Sequence, residues 1–523
     1  MSGENTNGEN KRGTKREATL GAAILLIVMI TAVISLATMV YNVDVSTPIA
    51  TLAVIIALVD YFWIGMSYDD ILNAGLKAIM AAMPACMIVM LVGALIGVWM
   101  RVGVIPGLIS YGLNILSPSY FPFAAMLISA IISICTGSSW STEGTIGVAL
   151  MGIGHGLGVP AAMTAGCIVS GAYFGDKMSP LSDTTNLAPG VAGNDLFDHI
   201  RAMFWTTGPT LIICAVIYLW WGWRFAGATV NAERISAIQT MIAAEFSISW
   251  LCVIPPLVIV AASILKIPSM PSICLGIFVA VIMAFFQDVG LGELWELGQS
   301  GYKAQLSASV LNATDVNAVG DILRENGIAL SPELAQEAVA TISRLVSRGG
   351  MLAMMWDVEI VIVAMSMGGF LDAGGFLTVL VSAMTKAVRR VGGLVMTVIG
   401  TCFVSNLLIG SQYLSIIIPG RMFRPKFDKS GLAPRMLSRS LEDSGTLTSV
   451  LVPWNACGAY AAMVLGVRTL DYAPYAILNW LNPIVAIVLT YLGIGVFWRS
   501  RDGGMEKRRS SLLDGIKVED GAR

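Results

Sequence analysis

"YFGDKMSPLSDTTNLAPGV", residues 173–191, interrupts a chain that is largely apolar or small from Phe121 to Cys167. The run holds Asp176, Asp183, Lys177, Ser179, Ser182, Thr184, Thr185, Asn186 and two prolines, Pro180 and Pro189. Proline lacks an N–H and clashes with the preceding helical turn. A charged side chain is costly inside a membrane. A sequence that places both together in greasy surroundings has a reason to do so.

The surroundings are those of a bilayer protein. The chain has 523 residues, of which 56% are hydrophobic and 13% charged, against about 25% charged in soluble domains. Its mean hydropathy is +0.75. Residues 18–40, 48–66, 203–223 and 474–498 reach the ~20 residues that cross a bilayer as a helix. The expected fold class is an all-α polytopic membrane protein. Net charge, −2, carries little, because the placement of Lys and Arg matters more than their sum. The first apolar run follows Lys11, Arg12, Lys15 and Arg16. It is too long for a signal-peptide core and lacks a small-residue cleavage site, so it reads as a retained anchor. Eight cysteines (Cys86, Cys135, Cys167, Cys214, Cys252, Cys274, Cys402, Cys457) lie scattered in apolar segments without a CxxC spacing, and the only histidines are His155 and His199. That pattern speaks against a zinc or disulfide framework, and no cofactor is implied. The polar ends, residues 1–17 and 499–523, read as cytoplasmic tails with the composition of disordered segments.

The chain echoes itself. "DILNAGLKA" at residues 70–78 resembles "ELGQSGYKA" at 296–304, an offset of 226. Further on, Gly103 matches Gly374, Gly137 matches Gly410, Pro160 matches Pro434 and Asn186 matches Asn455, at offsets of 269 to 274. One insertion, residues 305–349, accounts for the jump. It carries Asp315, Asp321, Glu325, Glu333 and Glu337 and reads as an extramembrane helical excursion. The domain expectation is a first transmembrane repeat over 18–223 and a second over 244–498.

Positive charge orients the repeats. Lys386, Arg389 and Arg390 precede the run 391–420, and Arg421, Arg424, Lys426 and Lys429 follow it. A single crossing would leave one cluster outside, whereas a re-entrant hairpin keeps both inside. Its counterpart, 121–157, has few flanking charges and would enter from the outer face, so the repeats are inverted. This gives about ten transmembrane helices and two re-entrant hairpins. About twelve ordinary spans is the alternative.

The opening run now has a place. Residues 160–191 are too long for one straight helix and are broken at 178–180 and again at Pro189. The matching stretch, 434–458, is broken at "EDSGTLTSVLVPWN", residues 442–455. Interrupted helices at corresponding positions of an inverted repeat point to a transporter's substrate site. With the hairpin tips, 136–142 and 410–415, four polar segments converge near the midplane. Carboxylates, hydroxyls, amide oxygens and freed carbonyls suit a small hard cation. The candidate ion- and substrate-binding residues are Asp176, Ser179, Ser182, Asp183, Thr184, Thr185, Asn186, Ser138, Ser139, Thr142, Glu143, Glu442, Asp443, Thr446 and Asn455. Asp176 and Asp183 are the expected ligands of a transported metal ion.

"GDKMSPLSDTTNLAP" (175–189), with the upstream "TGSSWSTEGTIGVALMGIG" (136–154), resembles the signature of the NhaC family of sodium/proton antiporters. The resemblance extends over roughly residues 18–498. It implies a prokaryotic plasma-membrane carrier that exchanges Na⁺ for H⁺; the basic clusters at the two ends, Lys11 to Arg16 and Arg499 to Arg509, place both termini in the cytoplasm. Family relatives that exchange a small organic acid of the malate or lactate type, or an amino acid, share the motif, which does not separate them.

Plainer readings stand beside these. Asp176 and Asp183 could cap helices, and the hydroxyls and Asn186 could satisfy freed backbone groups. Lys177 could pair with a carboxylate or snorkel to the surface. Glu143 could carry a proton or face water, and Asp357 and Glu359 could sit at an interface or in a relay. Gly144, Gly147, Gly152 and Gly154 suit close helix packing rather than a nucleotide loop, which needs a strand–loop–helix setting. An intramembrane hydrolase lacks a GxSxG elbow, so the chain is not expected to be an enzyme. The expected partners are the lipid bilayer and small inorganic ions, with no nucleic acid; a homodimer is left open.

Overall fold

The computed structural model describes residues 16–41, 43–225, 232–265, 267–313, 315–346, 349–386, 390–499 and 505–506. Most of both tails, with Lys11, Arg12, Lys15, Arg501, Lys507, Arg508 and Arg509, lies outside them, as does Arg389. Apart from a short β contact at residues 498–506, the described elements are helices. Five are long and apolar enough to cross a bilayer: Ser46–Ile64, Tyr68–Arg101, Leu196–Arg224, Leu352–Ala373 and Val391–Ile409. Three further pairs qualify as bent units: Ile235–Glu245 with Trp250–Ile264 (92°), Pro434–Leu451 with Ala456–Leu465 (49°), and Thr469–Tyr475 with Ile477–Tyr491 (54°). The protein is an all-α polytopic membrane protein.

The internal echo is written into the backbone. Left-handed residues recur in order: Gly65 and Asp288, Gly103 and Gly375, Gly137 and Gly410, Gly193 and Gly466. The last two pairs share one offset (410 − 137 = 273 and 466 − 193 = 273). Two sequence pairings move slightly. Beside the expected Gly103–Gly374 match, the left-handed residue is Gly375. Asn455 caps the helix Ala456–Leu465 as Ser182 caps Asp183–Ala192, so Ser182 rather than Asn186 is its structural counterpart.

Residues 305–349 hold three helices between two others. In the first half Tyr68–Arg101 runs unbroken for 34 residues. In the second, Leu291–Ser300 and Met355–Ala373 flank three helices, Gln305–Leu311, Val316–Glu325 and Pro332–Val346. The Glu245 carboxylate anchors the first of them, accepting from Leu306 N (3.1 Å), Ser307 N (2.8 Å) and Ser307 Oγ (2.9 Å). Pro332–Val346 packs against Ala232–Glu245 and Val148–Gly156. Gly349 and Gly350 then return the chain. Both are left-handed, and a Cβ on them would lie 2.4 Å from Gly97 N and 2.3 Å from Gly301 N.

The described residues fall into two compact units, one drawn from Met1–Ala82 and Ile362–Ala387, the other from Met83–Val361 and Val388–Arg523. In the first, Leu20–Ser35 packs on Ser46–Val59 and Phe376–Lys386. Asp60 is fully buried there, and neither carboxylate oxygen has a hydrogen-bond partner. The second unit holds both hairpins and both broken helices.

In that unit each hairpin tip is seated in the break of its own half. Phe121–Thr136 ends at Gly137 (φ 67°), where a Cβ would stand 2.7 Å from the Leu181 backbone. Val391–Ile409 ends at Gly410 (φ 71°), whose carbonyl accepts from Ala456 N at 3.0 Å. Gly171 and Gly175, one turn apart, bring Ala161–Met178 against Phe121–Thr136. A Cβ there would meet Met126 O at 2.1 Å and Ala130 O at 2.5 Å. Small residues at helical spacing give the close packing that membrane helices use.

Two local expectations change. Pro189 does not break its helix: Asp183–Ala192 continues through it. A proline removes one ladder bond, and a short helix capped by the Ser182 side chain tolerates that loss. The second hairpin arm, Gln412–Lys429, runs past residue 420 through Pro419 and Pro425. Lys426 and Lys429 therefore occupy its last turn, where cations complement the helix dipole.

Candidate functional site

Asp176 lies in the last turn of Ala161–Met178, just before the break at 179–182. It is 5% exposed. Its Oδ2 accepts from Ser139 Oγ (2.7 Å) and Ser139 N (3.2 Å), and its Oδ1 from Ser182 Oγ (2.5 Å). The donors come from the hairpin tip and from the break. A helix end leaves its last carbonyls unsatisfied; here Thr185 Oγ1 lies 3.0 Å from Asp176 O and 2.9 Å from Lys177 O. All the side-chain partners of Asp176 are hydroxyls, and no cationic side chain is paired with it among the described residues.

The second half contributes Glu442 and Asp443, both fully buried on Pro434–Gly445. Thr446, one turn on, donates to Glu442 Oε2, and Thr185 Oγ1 lies 3.5 Å from Oε1. Thr185 Oγ1 thus stands between the last carbonyls of the first broken helix, Asp176 O and Lys177 O, and the Glu442 carboxylate of the second. Asp443 is differently placed. Its Oδ1 accepts from Lys177 Nζ (2.5 Å), Asn482 Nδ2 (2.8 Å) and Thr206 Oγ1 (3.0 Å). Its Oδ2 lies 3.7 Å from Arg439 Nε.

Other expected residues support the frame. Ser138 caps the short helix Ser139–Thr142 through Ser141 N, and Thr142 donates to Ser138 O at 2.9 Å. Ser179 donates to Ile134 O at 2.7 Å, tying the break to the hairpin. Thr184 meets Ser182 Oγ at 3.1 Å. Asn455 Nδ2 lies 3.1 Å from Asn406 Oδ1, and Asn406 in turn donates to Gly445 O at 2.9 Å. Asp183 and Asn186 are exposed; Asn186 donates to Pro180 O and Ser182 O within the turn. Glu143 opens a wide π turn, Glu143–Gly147. It is fully buried with neither oxygen hydrogen-bonded, and Asp176 acts on it. Asp357 is likewise buried and unpartnered. Tyr460 feels both acids; it stacks on Trp140 at 4.5 Å and donates to Trp140 O at 2.6 Å.

Sequence reasoning missed Arg439, Thr206, Asn482 and His199. Arg439 is 1% exposed and donates from Nη1 to Gly495 O at 2.8 Å. Its spacing of four from Asp443 was the available signal, since such residues face each other on a helix. His199 is fully buried, with Nδ1 2.9 Å from Ser438 Oγ. Thr206 and Asn482 are single polar residues in apolar helices, and only tertiary packing brings them to Asp443. Among the described residues no group of three or more His, Cys, Asp or Glu could hold a metal ion. The groups around the Asp176 carboxylate are instead two serine hydroxyls and one backbone N–H.

Interrupted helices that carry buried carboxylates are a feature of secondary transporters. The chain belongs to the Na⁺/H⁺ antiporter family, whose match covers residues 171–494. It is 37% identical to the Na⁺/H⁺ antiporter NhaC of Alkalihalophilus pseudofirmus, over 92% of this chain and 97% of that protein. It is 33% identical to the malate-2H⁺/Na⁺-lactate antiporter of Bacillus subtilis, over 82% and 86% of the two chains. It is 34% identical to the arginine/ornithine antiporter ArcD of Halobacterium salinarum, over 86% of each.

Proposed function

We propose that this protein exchanges Na⁺ for H⁺ across a prokaryotic plasma membrane, with both termini cytoplasmic. The two ions compete for a site built on Asp176 and Glu442. The observation that carries this reading is the buried Asp176 carboxylate, held by Ser139 and Ser182 hydroxyls from a hairpin tip and a helix break. Neutral oxygen donors around an ionised carboxylate can turn toward a cation, and a proton on the carboxylate removes the charge that attracts it. Ser139 and Ser182 supply hydroxyls to Asp176, and Thr184, Thr185 and Thr446 supply them to Glu442. The inverted repeats give alternating access: one half rocks against the other and exposes the carboxylates to each side in turn.

A second reading, exchange of an organic acid or amino acid with the same ions, has one observation in its favour. Arg439 is buried with Nε and Nη2 lacking hydrogen-bond partners, and a guanidinium suits a carboxylate. Reconstituted protein with an internal pH dye, given separate gradients of Na⁺, Li⁺, K⁺, malate, lactate and arginine, decides between them. Proton movement driven by Na⁺ alone supports the antiporter. Proton movement that requires an organic solute overturns it in favour of the second reading.

A further inference from the structure

Asp443 does not have the surroundings of an ion ligand. Its Oδ1 already takes three donors, from Lys177, Asn482 and Thr206, and its Oδ2 faces Arg439. A Na⁺ ion bound there would sit against two fully buried positive groups, Lys177 and Arg439. Glu442 and Asp176 accept only from hydroxyls and one amide. Yet Lys177 lies close to Glu442: Thr185 Oγ1 stands 2.9 Å from Lys177 O and 3.5 Å from Glu442 Oε1, and the Lys177 charge acts on Glu442. Its long flexible stem carries a compact charge, so it is a tethered cation that could fill the very site Na⁺ must enter.

The geometry points to Asp443 as a positioning residue that holds Lys177 away from Asp176 and Glu442, keeping those two carboxylates open to Na⁺. This rests on the carboxylate reading above. Asn482 and Thr206 hold the Asp443 carboxylate by hydrogen bonds, with Arg439 3.7 Å away, and the Lys177–Asp443 pair joins the helix before the first break to the helix before the second.

Suppression tests it. Purified Asp443→Asn, Lys177→Met and the double variant are compared by Na⁺-dependent thermal stabilisation in detergent and by Na⁺-driven proton movement in proteoliposomes. Asp443→Asn frees the ammonium, and its half-maximal Na⁺ concentration rises about tenfold or more, the scale set by an uncompensated buried charge. Lys177→Met binds Na⁺ as tightly as the parent or tighter. The double variant returns to within about threefold of the parent, because the competitor is gone. A double variant as weak as Asp443→Asn would overturn the assignment and make Asp443 a ligand. Weaker Na⁺ binding in Lys177→Met would also overturn it, and that variant decides the matter if Asp443→Asn does not fold. Asp176→Asn, run alongside, isolates the underlying reading: if it binds Na⁺ normally, the carboxylate site itself is wrong, whatever the suppression shows.

Discussion

Gly137→Ala tests whether the hairpin tip positions the site. Gly137 has φ +67°, and a Cβ there would lie 2.7 Å from the Leu181 carbonyl carbon. Alanine in this backbone region costs about 1–2 kcal/mol. The contact adds a displacement, since ordinary contact begins at 3.4 Å and the tip must retreat by about 3.4 − 2.7 = 0.7 Å. Ser139, two residues on, donates to Asp176 at 2.7 and 3.2 Å. A retreat of that size takes the longer bond beyond hydrogen-bonding distance and strains the shorter. A hydrogen bond to a charged group contributes about 1.5–3 kcal/mol, and each 1.4 kcal/mol is about tenfold in affinity. The half-maximal Na⁺ concentration for proton movement in everted vesicles should therefore rise at least about tenfold. Gly158→Ala is the control: its φ is +75° with nothing within 4 Å of a Cβ. It should lower thermal stability by the backbone term alone and leave Na⁺ affinity unchanged. Equal Na⁺ affinities in the two variants, both properly inserted, would refute the positioning of Ser139 by the tip.

Three other outcomes are expected. Tyr460→Phe removes the donor to the buried Trp140 carbonyl and should cost about 1–3 kcal/mol of thermal stability, read in detergent, with exchange retained. Single cysteines replacing Arg390 and Arg421 should both label from the cytoplasm only; labelling from opposite faces contradicts the second hairpin. Replacing residues 305–346 with a Gly/Ser linker that spares Gly349 and Gly350 should preserve exchange in inserted protein, and loss of exchange would give the insertion a part in transport.

Much of the fold was legible because membrane burial leaves few reasons for polar or breaking residues. Pro180, with the serines around it, marked the first break, and "EDSGTLTSVLVPWN" the second. Gly137 and Gly410 stood at matched positions because both tips need a left-handed residue. The left-handed and capping residues fall one and four positions away from the pairings Gly103–Gly374 and Asn186–Asn455. Sequence similarity aligns residue types, whereas the repeat preserves caps and left-handed turns. Pro189 looked like a breaker because its effect depends on helix length and capping, which composition does not reveal. Asp183 stood with Asp176 as an expected ion ligand, and Asp443 stood behind them as a candidate site residue near the second break. Asp183 is exposed and Asp443 is taken up by Lys177, and both facts depend on contacts across the chain. The four-residue spacing of Arg439 and Asp443 was readable. The arrival of Thr206 and Asn482 from other helices was not.

The most direct test of the central claim is the apparent Na⁺ affinity of reconstituted protein across a pH series, in the parent and in Asp176→Asn. Competition for one carboxylate predicts that the parent's affinity falls as the proton concentration rises, approaching tenfold per pH unit once the site is mostly protonated. Asp176→Asn, which keeps the shape but cannot titrate, should show no proton-coupled exchange. An Asp176→Asn protein with the parent's Na⁺ affinity and pH profile would contradict the account.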